Sequence, residues 1–260
     1  METLYHLYDV KDRVDFIYTL KCTFKCSHCM LSCSPEKKEK IPISFAMGIL
    51  EIIKKHGCKS VLFSGGEVFC YYDELISLAK RCSELGMDLE LETNGFWGKS
   101  EKAVNDILSP IFSLPNRKII YLSLDYYHLE YMELTNILRI ASCCKQYGVP
   151  CEVNITPYTA EFDQKLIAML EKNEVFWISE KLIDVGRAKT ISVPDKISIL
   201  PFDQSDDYAF TIMPDGNCFA RCDISYEFES HKEEYGFLGN AYDLNEFERI
   251  YSKFRNEFNY

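Results

Sequence analysis

The chain carries three cysteines as Cys22-x-x-x-Cys26-x-x-Cys29, directly after the strand-like run Phe16-Ile17-Tyr18-Thr19-Leu20. Thiolates at that spacing in a loop suit an iron-sulfur cluster with one iron left open, and an open iron is a place for chemistry. Zinc is the other metal that thiolates hold, and it asks for four ligands. Cys33 is the residue that would close such a site into a structural zinc knot. Two widely separated Cys-x-x-Cys units, the paired zinc signature, are absent from the sequence.

Farther along stand Ser64-Gly65-Gly66-Glu67 and Thr93-Asn94-Gly95. Together with Cys22-Thr23-Phe24-Lys25-Cys26-Ser27-His28-Cys29, they resemble the radical S-adenosylmethionine (radical SAM) superfamily over roughly residues 14 to 190. The resemblance implies that Cys22, Cys26 and Cys29 hold a four-iron four-sulfur cluster, with its open iron chelated by the amino and carboxylate groups of S-adenosylmethionine. It implies reductive cleavage of the sulfonium to a 5'-deoxyadenosyl radical that abstracts a hydrogen atom from the substrate. By the same resemblance the edge Gly65, Gly66 and Glu67 binds the methionine ammonium group, and His28 stands where relatives usually carry an aromatic residue beside adenine. Thr93, Asn94, Ser123, Asp125 and Arg187 are the further cofactor-binding candidates. Val68 departs from the pattern, standing where proline commonly follows Gly-Gly-Glu.

The elements that must position these residues read as repeated strand-helix units. Strand candidates lie near 16–20, 60–64, 88–93, 118–124, 150–156 and 175–185. Between them, Ser44 is expected to cap a helix with Phe45, Ile49, Ile52 and Ile53 on one face, ending at Gly57. Asp73 opens a second helix that closes at Gly86, and a third runs from about Tyr131 to Tyr147. Alternation of this kind predicts an α/β fold with a parallel sheet, because each parallel strand needs a crossover helix. The family's partial (β/α)6 TIM-like barrel fits it. The motifs follow the first, second, third, fourth and sixth strands, at the carboxyl ends where parallel barrels bind ligands.

The segment Ser123-Leu124-Asp125-Tyr126-Tyr127-His128 sets hydroxyl, carboxylate, phenol and imidazole groups at the mouth of the fourth strand. Asp125, Tyr126 and His128 are therefore candidates to orient substrate or move protons, although a turn that caps the next helix accounts for them equally. Cys70 is a candidate hydrogen-atom donor, since epimerising relatives need a thiol to quench a carbon radical. Cys33, Cys143, Cys144 and Cys151 are the other nominal donors, and packing explains a buried cysteine as readily.

After residue 190 the periodicity is interrupted by Ser192-Val193-Pro194 and Leu200-Pro201-Phe202, which divides the chain into 1–190 and 191–260. A strand, tight turn and strand then follow over Thr211–Cys222, with Leu238-Gly239-Asn240 and a terminal helix near 243–258. This small α+β extension resembles the start of a SPASM or twitch extension. No cysteine lies between Cys151 and Cys218 or after Cys222, which leaves Cys218 and Cys222 as anchors of at most one second cluster.

A chain of 260 residues with 47% hydrophobic content can bury one large core. No run approaches the roughly 18 apolar residues of a membrane span. Charges at Glu2, Asp9, Lys11, Asp12, Arg13 and Asp15 break any signal-peptide core, so a cytoplasmic protein with thiols instead of disulfides is expected. The net charge of -11 disfavours nucleic-acid partners, and Glu36-Lys37-Lys38-Glu39-Lys40 reads as a solvated loop. The extension favours a ribosomally made peptide as substrate, ending in epimerisation or a crosslink. Only 21 residues precede Cys22, so a separate leader-peptide carrier is expected, with flavodoxin or ferredoxin as reductant. The rival readings are a radical enzyme acting on a nucleoside or sugar, a glycyl-radical activase, and a non-catalytic iron-sulfur or zinc protein.

Overall fold

The segment Asp88-Leu89-Glu90-Leu91-Glu92 alternates carboxylate and leucine with the period of two that turns one strand face to a core and the other to polar groups. The computed structural model, which describes residues 12–193, 196–198, 209–225 and 233–257, builds the whole fold on that division. Strands β1 (Arg13–Thr19), β2 (Ser60–Gly65), β3 (Asp88–Thr93), β4 (Lys118–Ser123), β5 (Cys151–Ile155) and β6 (Trp177–Ser179) pair in parallel and in sequence order. Helices α1 (Ile43–Lys55), α2 (Tyr72–Glu84), α3 (Glu101–Phe112), α4 (Tyr126–Leu129), α5 (Leu134–Tyr147) and α6 (Ala160–Lys172) lie between them.

One face of the sheet is apolar. Val14, Phe16, Val61, Phe63, Leu89, Leu91, Ile120, Leu122 and Val153 pack in a single core with Ile49, Leu50, Leu78, Leu108, Ile140 and Leu170 from the helices. The other face is polar and carries Arg13, Asp15, Ser60, Glu90, Tyr121 and Glu152. Arg13 pairs with Asp15 at 2.6 Å and Glu90 at 3.1 Å, while Ser60 and Tyr121 donate to Glu90, each at 2.9 Å. A polar inner face on a curled parallel sheet is the lumen of a partial barrel.

The sheet does not close. Its order is β6-β5-β4-β3-β2-β1-β7-β8-β9, so β6 and β9 are edges. Strand β7 (Phe210–Ile212) joins β1 in parallel, and β8 (Asn217–Phe219) and β9 (Phe237–Asn240) continue antiparallel. The terminal helix α7 (Leu244–Glu257) covers these strands with Phe247, Ile250, Tyr251 and Phe254. Among the described residues after 190, β7, β8 and β9 thus extend the same sheet. Among the described residues, no helix is long and apolar enough to cross a membrane.

Local expectations shift at helix ends. Helix α1 begins at Ile43 behind Pro42, whose ring fixes the entry, so Ser44 lies inside the first turn and caps nothing. Asp73 sits one residue into α2, where its charge suits the helix N-terminus. The helix expected from Tyr131 starts at Leu134 as α5, after the separate short α4, and Gly148 closes α5 at φ 66°. The sixth strand is shorter than 175–185. Pro194, Leu200, Pro201 and Phe202, like residues 1–11 and 258, lie outside the described residues.

Candidate active site

The loop between Lys21 and Ser34 leaves the end of β1 and returns to it, tied by Cys22 N–H to Ser34 O at 3.1 Å and Ser34 N–H to Leu20 O at 3.3 Å. Its grip comes from far away in sequence. After β6, Arg187 donates from Nε to Cys26 O at 2.8 Å, from Nη2 to Cys33 O at 2.8 Å, and from its backbone to Cys29 O at 3.1 Å. Gly186 makes this approach possible, for a Cβ there would stand 2.3 Å from Met30 O. Arg187, expected to bind cofactor, is thus committed to three carbonyl groups of the cysteine loop. Arg187→Met is expected to cut iron retention during anaerobic desalting severalfold, whereas Arg187→Lys, keeping one donor, falls between; equal retention in all three proteins would contradict that role.

Cys22 and Cys26 are buried and Cys29 is half-buried, all with free thiols, beside Ile17, Leu20, Phe24 and Tyr127. Burial pushes the Cys22 thiol up to about 12, while a hydrogen bond from the Cys33 thiol brings Cys29 down to about 6. Peptide N–H groups of Phe24 and Cys33 point at the Cys22 and Cys29 sulfurs, each at 3.4 Å, as does Asn94 Nδ2 at Cys22, also 3.4 Å. N–H donors aimed at the sulfurs suit thiolates that ligate a metal cluster, whose charge such hydrogen bonds stabilise.

The Gly-Gly-Glu segment stitches β2 to this loop. Gly66 N–H donates to Thr19 O at 2.7 Å and Glu67 N–H to Lys21 O at 2.8 Å. The Glu67 carboxylate is fully buried and turned inward, accepting from Phe69 N–H at 3.0 Å, Asn94 N–H at 2.9 Å and the Thr93 hydroxyl at 3.0 Å. Thr93 in turn accepts from Gly95 N–H and Trp97 Nε1. Glu67 and Thr93 are therefore a clasp between the ends of β2 and β3, not open ligand groups.

Burial pushes the Glu67 carboxyl up to about 7, although its three donors pull it down. Its folded pKa lies above the ordinary 4.5, so the stability it contributes is full below that value and lost as pH rises through about 7. Urea unfolding midpoints should fall between about pH 5 and about pH 8, and Glu67→Gln, with no proton to lose there, should flatten that slope.

At the end of β4, Asp125 is 1% exposed and caps α4 by accepting from His128 N–H at 3.0 Å. The same Oδ1 lies 2.9 Å from His128 Nδ1, and Oδ2 lies 3.4 Å from His28 Nε2. The turn reading of this segment therefore holds, and the capping carboxylate also meets both imidazoles. Burial alone would raise the Asp125 carboxyl, but the two imidazoles hold it below its ordinary range. Burial likewise opposes a charged His128, yet Asp125 raises it well above the ordinary value, while burial lowers His28 to about 4. His28 stacks on Tyr127 at 4.5 Å. Tyr126 stacks on Tyr158 at 3.7 Å, along the rim.

Of the thiols named as hydrogen donors, Cys70 lies half-buried just after Glu67, with burial pushing it up to about 11, and Cys33 lies in the cysteine loop. Cys143 and Cys144 belong to α5, and Cys151 begins β5 at the end opposite the loops. Cys218 is buried in the main core, and Cys222 is exposed. Ser123 is half-buried on the lumen face and carries no hydrogen bond among the described residues.

Buried polar atoms without partners mark where a ligand is wanted. His28 Nδ1, Tyr127 OH and Asn154 Oδ1 are three of these, from the cysteine loop, the end of β4 and the end of β5. Tyr127 and Asn154 were not singled out from the sequence, although Glu152 and Asn154 alternate with apolar neighbours along β5 in the manner of lumen residues. A groove of about 530 Å³ lies outside the loop, lined by Thr23, Phe24, Phe96, Tyr131 and Arg139.

The profile of the Radical SAM superfamily matches residues 16–172, more than half of the chain and every strand from β1 to β5. The chain belongs to the radical SAM superfamily. Membership in this family of enzymes implies a four-iron four-sulfur cluster and S-adenosylmethionine. The putative peptide biosynthesis protein YydG of Bacillus subtilis (strain 168) is 29% identical over 174 residues, covering 65% of this chain and 54% of that protein. The chain thus spans about half the length of the curated relative it matches. Among solved structures, native anSMEcpe with bound AdoMet superposes with a TM-score of 0.65 at 14% identity, over 95% of this chain and 82% of that one. Methylornithine synthase (PylB) gives 0.51 at 13%, over 65% and 53%. At these identities the radical SAM structures share the fold, a partial TIM barrel with a mostly parallel sheet.

Proposed function

We propose that the protein reductively cleaves S-adenosylmethionine and uses the radical to abstract a hydrogen atom from carbon in a ribosomally made peptide. The carrying observation is the loop of three free thiols, with peptide N–H donors at the Cys22 and Cys29 sulfurs, clamped by Arg187 at the carboxyl end of the sheet. Cys22, Cys26 and Cys29 would hold the cluster. When bound, the cluster supplies the electron that breaks the S–C5' bond of S-adenosylmethionine, and the resulting 5'-deoxyadenosyl radical takes the substrate hydrogen.

The remaining residues bind and orient. Tyr127 OH, Asn154 Oδ1 and His28 Nδ1 offer unpartnered polar atoms, and Ser123 a half-buried hydroxyl, to the ribose, carboxylate and adenine of S-adenosylmethionine. Glu67 and Thr93 hold the β2 and β3 ends so that the backbone of Gly65 and Gly66 faces the ammonium group. Cys70 is the thiol beside this edge from which an epimerised carbon would recover its hydrogen. The division near residue 190 would separate the catalytic partial barrel from an extension whose strands β7, β8 and β9 continue its sheet. A single cluster is favoured, because Cys218 packs in the apolar core.

The peptide class is supported by the similarity to YydG, itself described as a putative peptide biosynthesis protein. A reductant of the flavodoxin or ferredoxin class would supply the electron, and a separate carrier would present the leader. The test is mass spectrometry of peptides encoded beside the gene, incubated with reduced enzyme in deuterated water. Epimerisation replaces one carbon-bound hydrogen by deuterium, and a crosslink removes a pair of hydrogens. Continued 5'-deoxyadenosine formation with every such peptide unchanged would contradict the peptide reading.

A further inference from the structure

The segment that carries the cysteines is charged against the rest of the chain. Between residues 21 and 40 five lysines stand with two glutamates, a net charge of +3 in a chain whose net charge is -11. Lys25, between Cys22 and Cys26, is exposed and forms no ion pair among the described residues, and the same holds for Lys99. Both stand at the groove of about 530 Å³ outside the loop, Lys99 in its lining and Lys25 through its carbonyl, which accepts from the Tyr131 hydroxyl at 2.9 Å. Tyr131 is 45% exposed and stacks on Phe24, with ring centroids 5.2 Å apart. Phe96 and Met132 add apolar surface to this lining, Arg139 adds a second cation, and Glu133 is its one acidic residue. The wall is close to a sulfur. The Phe24 peptide N–H lies 3.4 Å from Cys22 Sγ, and Asn94 Nδ2 lies 3.4 Å from both that sulfur and Thr23 Oγ1.

We propose that this groove, with Tyr131 as apolar anchor and Lys25, Lys99 and Arg139 as positive edge, is where an acidic one-electron carrier protein docks to reduce the cluster. The proposal rests on Cys22, Cys26 and Cys29 holding that cluster. The carrier loses one electron and the cluster gains it, with no bond made or broken. Transfer slows steeply with distance, so the carrier has to reach the loop itself, and the groove brings it to the residues next to Cys22. An apolar patch edged by positive charge suits an acidic partner, and on a chain of opposite overall charge it also sets where that partner lands.

The test is isothermal titration calorimetry of oxidised flavodoxin, and separately of ferredoxin, into reconstituted full-length protein at low salt, with iron counted first. The wild type should bind one of these carriers with an affinity that falls as salt rises. The double variant Lys25→Glu and Lys99→Glu should keep its iron and bind on the order of tenfold more weakly. Lys80→Glu with Lys172→Glu makes the same change of net charge on exposed positions of α2 and α6, and should bind like the wild type. The rate of 5'-deoxyadenosine formation should follow, slowed in the Lys25 and Lys99 variant when the carrier is the reductant and unchanged with dithionite. Equal affinity in that variant and the wild type, equal losses in both double variants, or no binding of either carrier overturns the proposal. Equal slowing with dithionite also overturns it, by assigning the face to a later step such as peptide binding. If the Lys25 and Lys99 variant does not hold iron, Lys99→Glu alone, outside the cysteine loop, decides by the same comparison. A wild type that forms no 5'-deoxyadenosine even with dithionite would remove the radical reading itself, a separate failure.

Discussion

Alanine at Cys29 is expected to strip the iron and abolish 5'-deoxyadenosine formation, whereas alanine at Cys33 leaves both in place. The two residues are neighbours, with the Cys33 peptide N–H 3.4 Å from the Cys29 sulfur, so proximity alone does not separate them. Their surroundings do. Cys33 is 2% exposed, its carbonyl is held by Arg187, and its peptide N–H is turned toward the Cys29 sulfur. It reads as a donor to a ligand. Cys33→Ala removes one hydrogen bond and a small buried side chain, for which about 1 to 2 kcal/mol of stability is the expected loss. Cys29→Ala removes one of three iron ligands, which the loop has no means to replace. The check is iron content and product formation in both variants after identical reconstitution. Equal loss in both would point to a site with four thiolate ligands and against an open iron.

The second large effect is expected at Gly66. A Cβ at this position would stand 2.3 Å from Lys21 O and 2.7 Å from Lys21 C, both backbone atoms one residue ahead of Cys22. Ordinary contact is more than an ångström longer, so Gly66→Ala must push apart the exits of β1 and β2. The hydrogen bonds from Gly66 to Thr19 and from Glu67 to Lys21 lengthen with them. Overpacking against backbone costs about 1 to 3 kcal/mol. Misplacement of the cluster loop by about an ångström is expected to lower 5'-deoxyadenosine formation on the order of 10²-fold. Gly48→Ala is the control, because its Cβ would meet only the flexible Leu244 side chain on the helical layer. Comparable losses of activity in both variants would show a general packing defect and not a local one.

The site was legible where chemistry fixes residue type. Thiolate ligands must be cysteines, so Cys22, Cys26 and Cys29 are the ligands we propose, and a strand exit pressed against another backbone must be glycine, as at Gly65 and Gly66. Side-chain direction was not legible. Glu67, Thr93 and Arg187 have the donors and acceptors that a cofactor needs, yet they hold protein groups, because whether a strand-end side chain turns to the lumen or to its neighbour depends on contacts distant in sequence. The strands were legible from β-branched and apolar runs, and β3 from its strict alternation. Ser100 and Thr159 cap α3 and α6 by accepting from the Ala103 and Phe162 N–H groups, a helix-start signal that the strand-helix pattern alone leaves unused. The pairing of β7 with β1 has no local signature at all, for nothing in Phe210-Thr211-Ile212 names a partner almost two hundred positions earlier.

The measurement that bears most directly on the account is anaerobic. Reconstitute the full chain with iron and sulfide, count iron, then reduce it with S-adenosylmethionine present and quantify 5'-deoxyadenosine against a Cys26→Ala control. The account predicts about four irons per chain and product that disappears in the control. Bound zinc in place of iron, or a filled cluster that never cleaves S-adenosylmethionine, would contradict it.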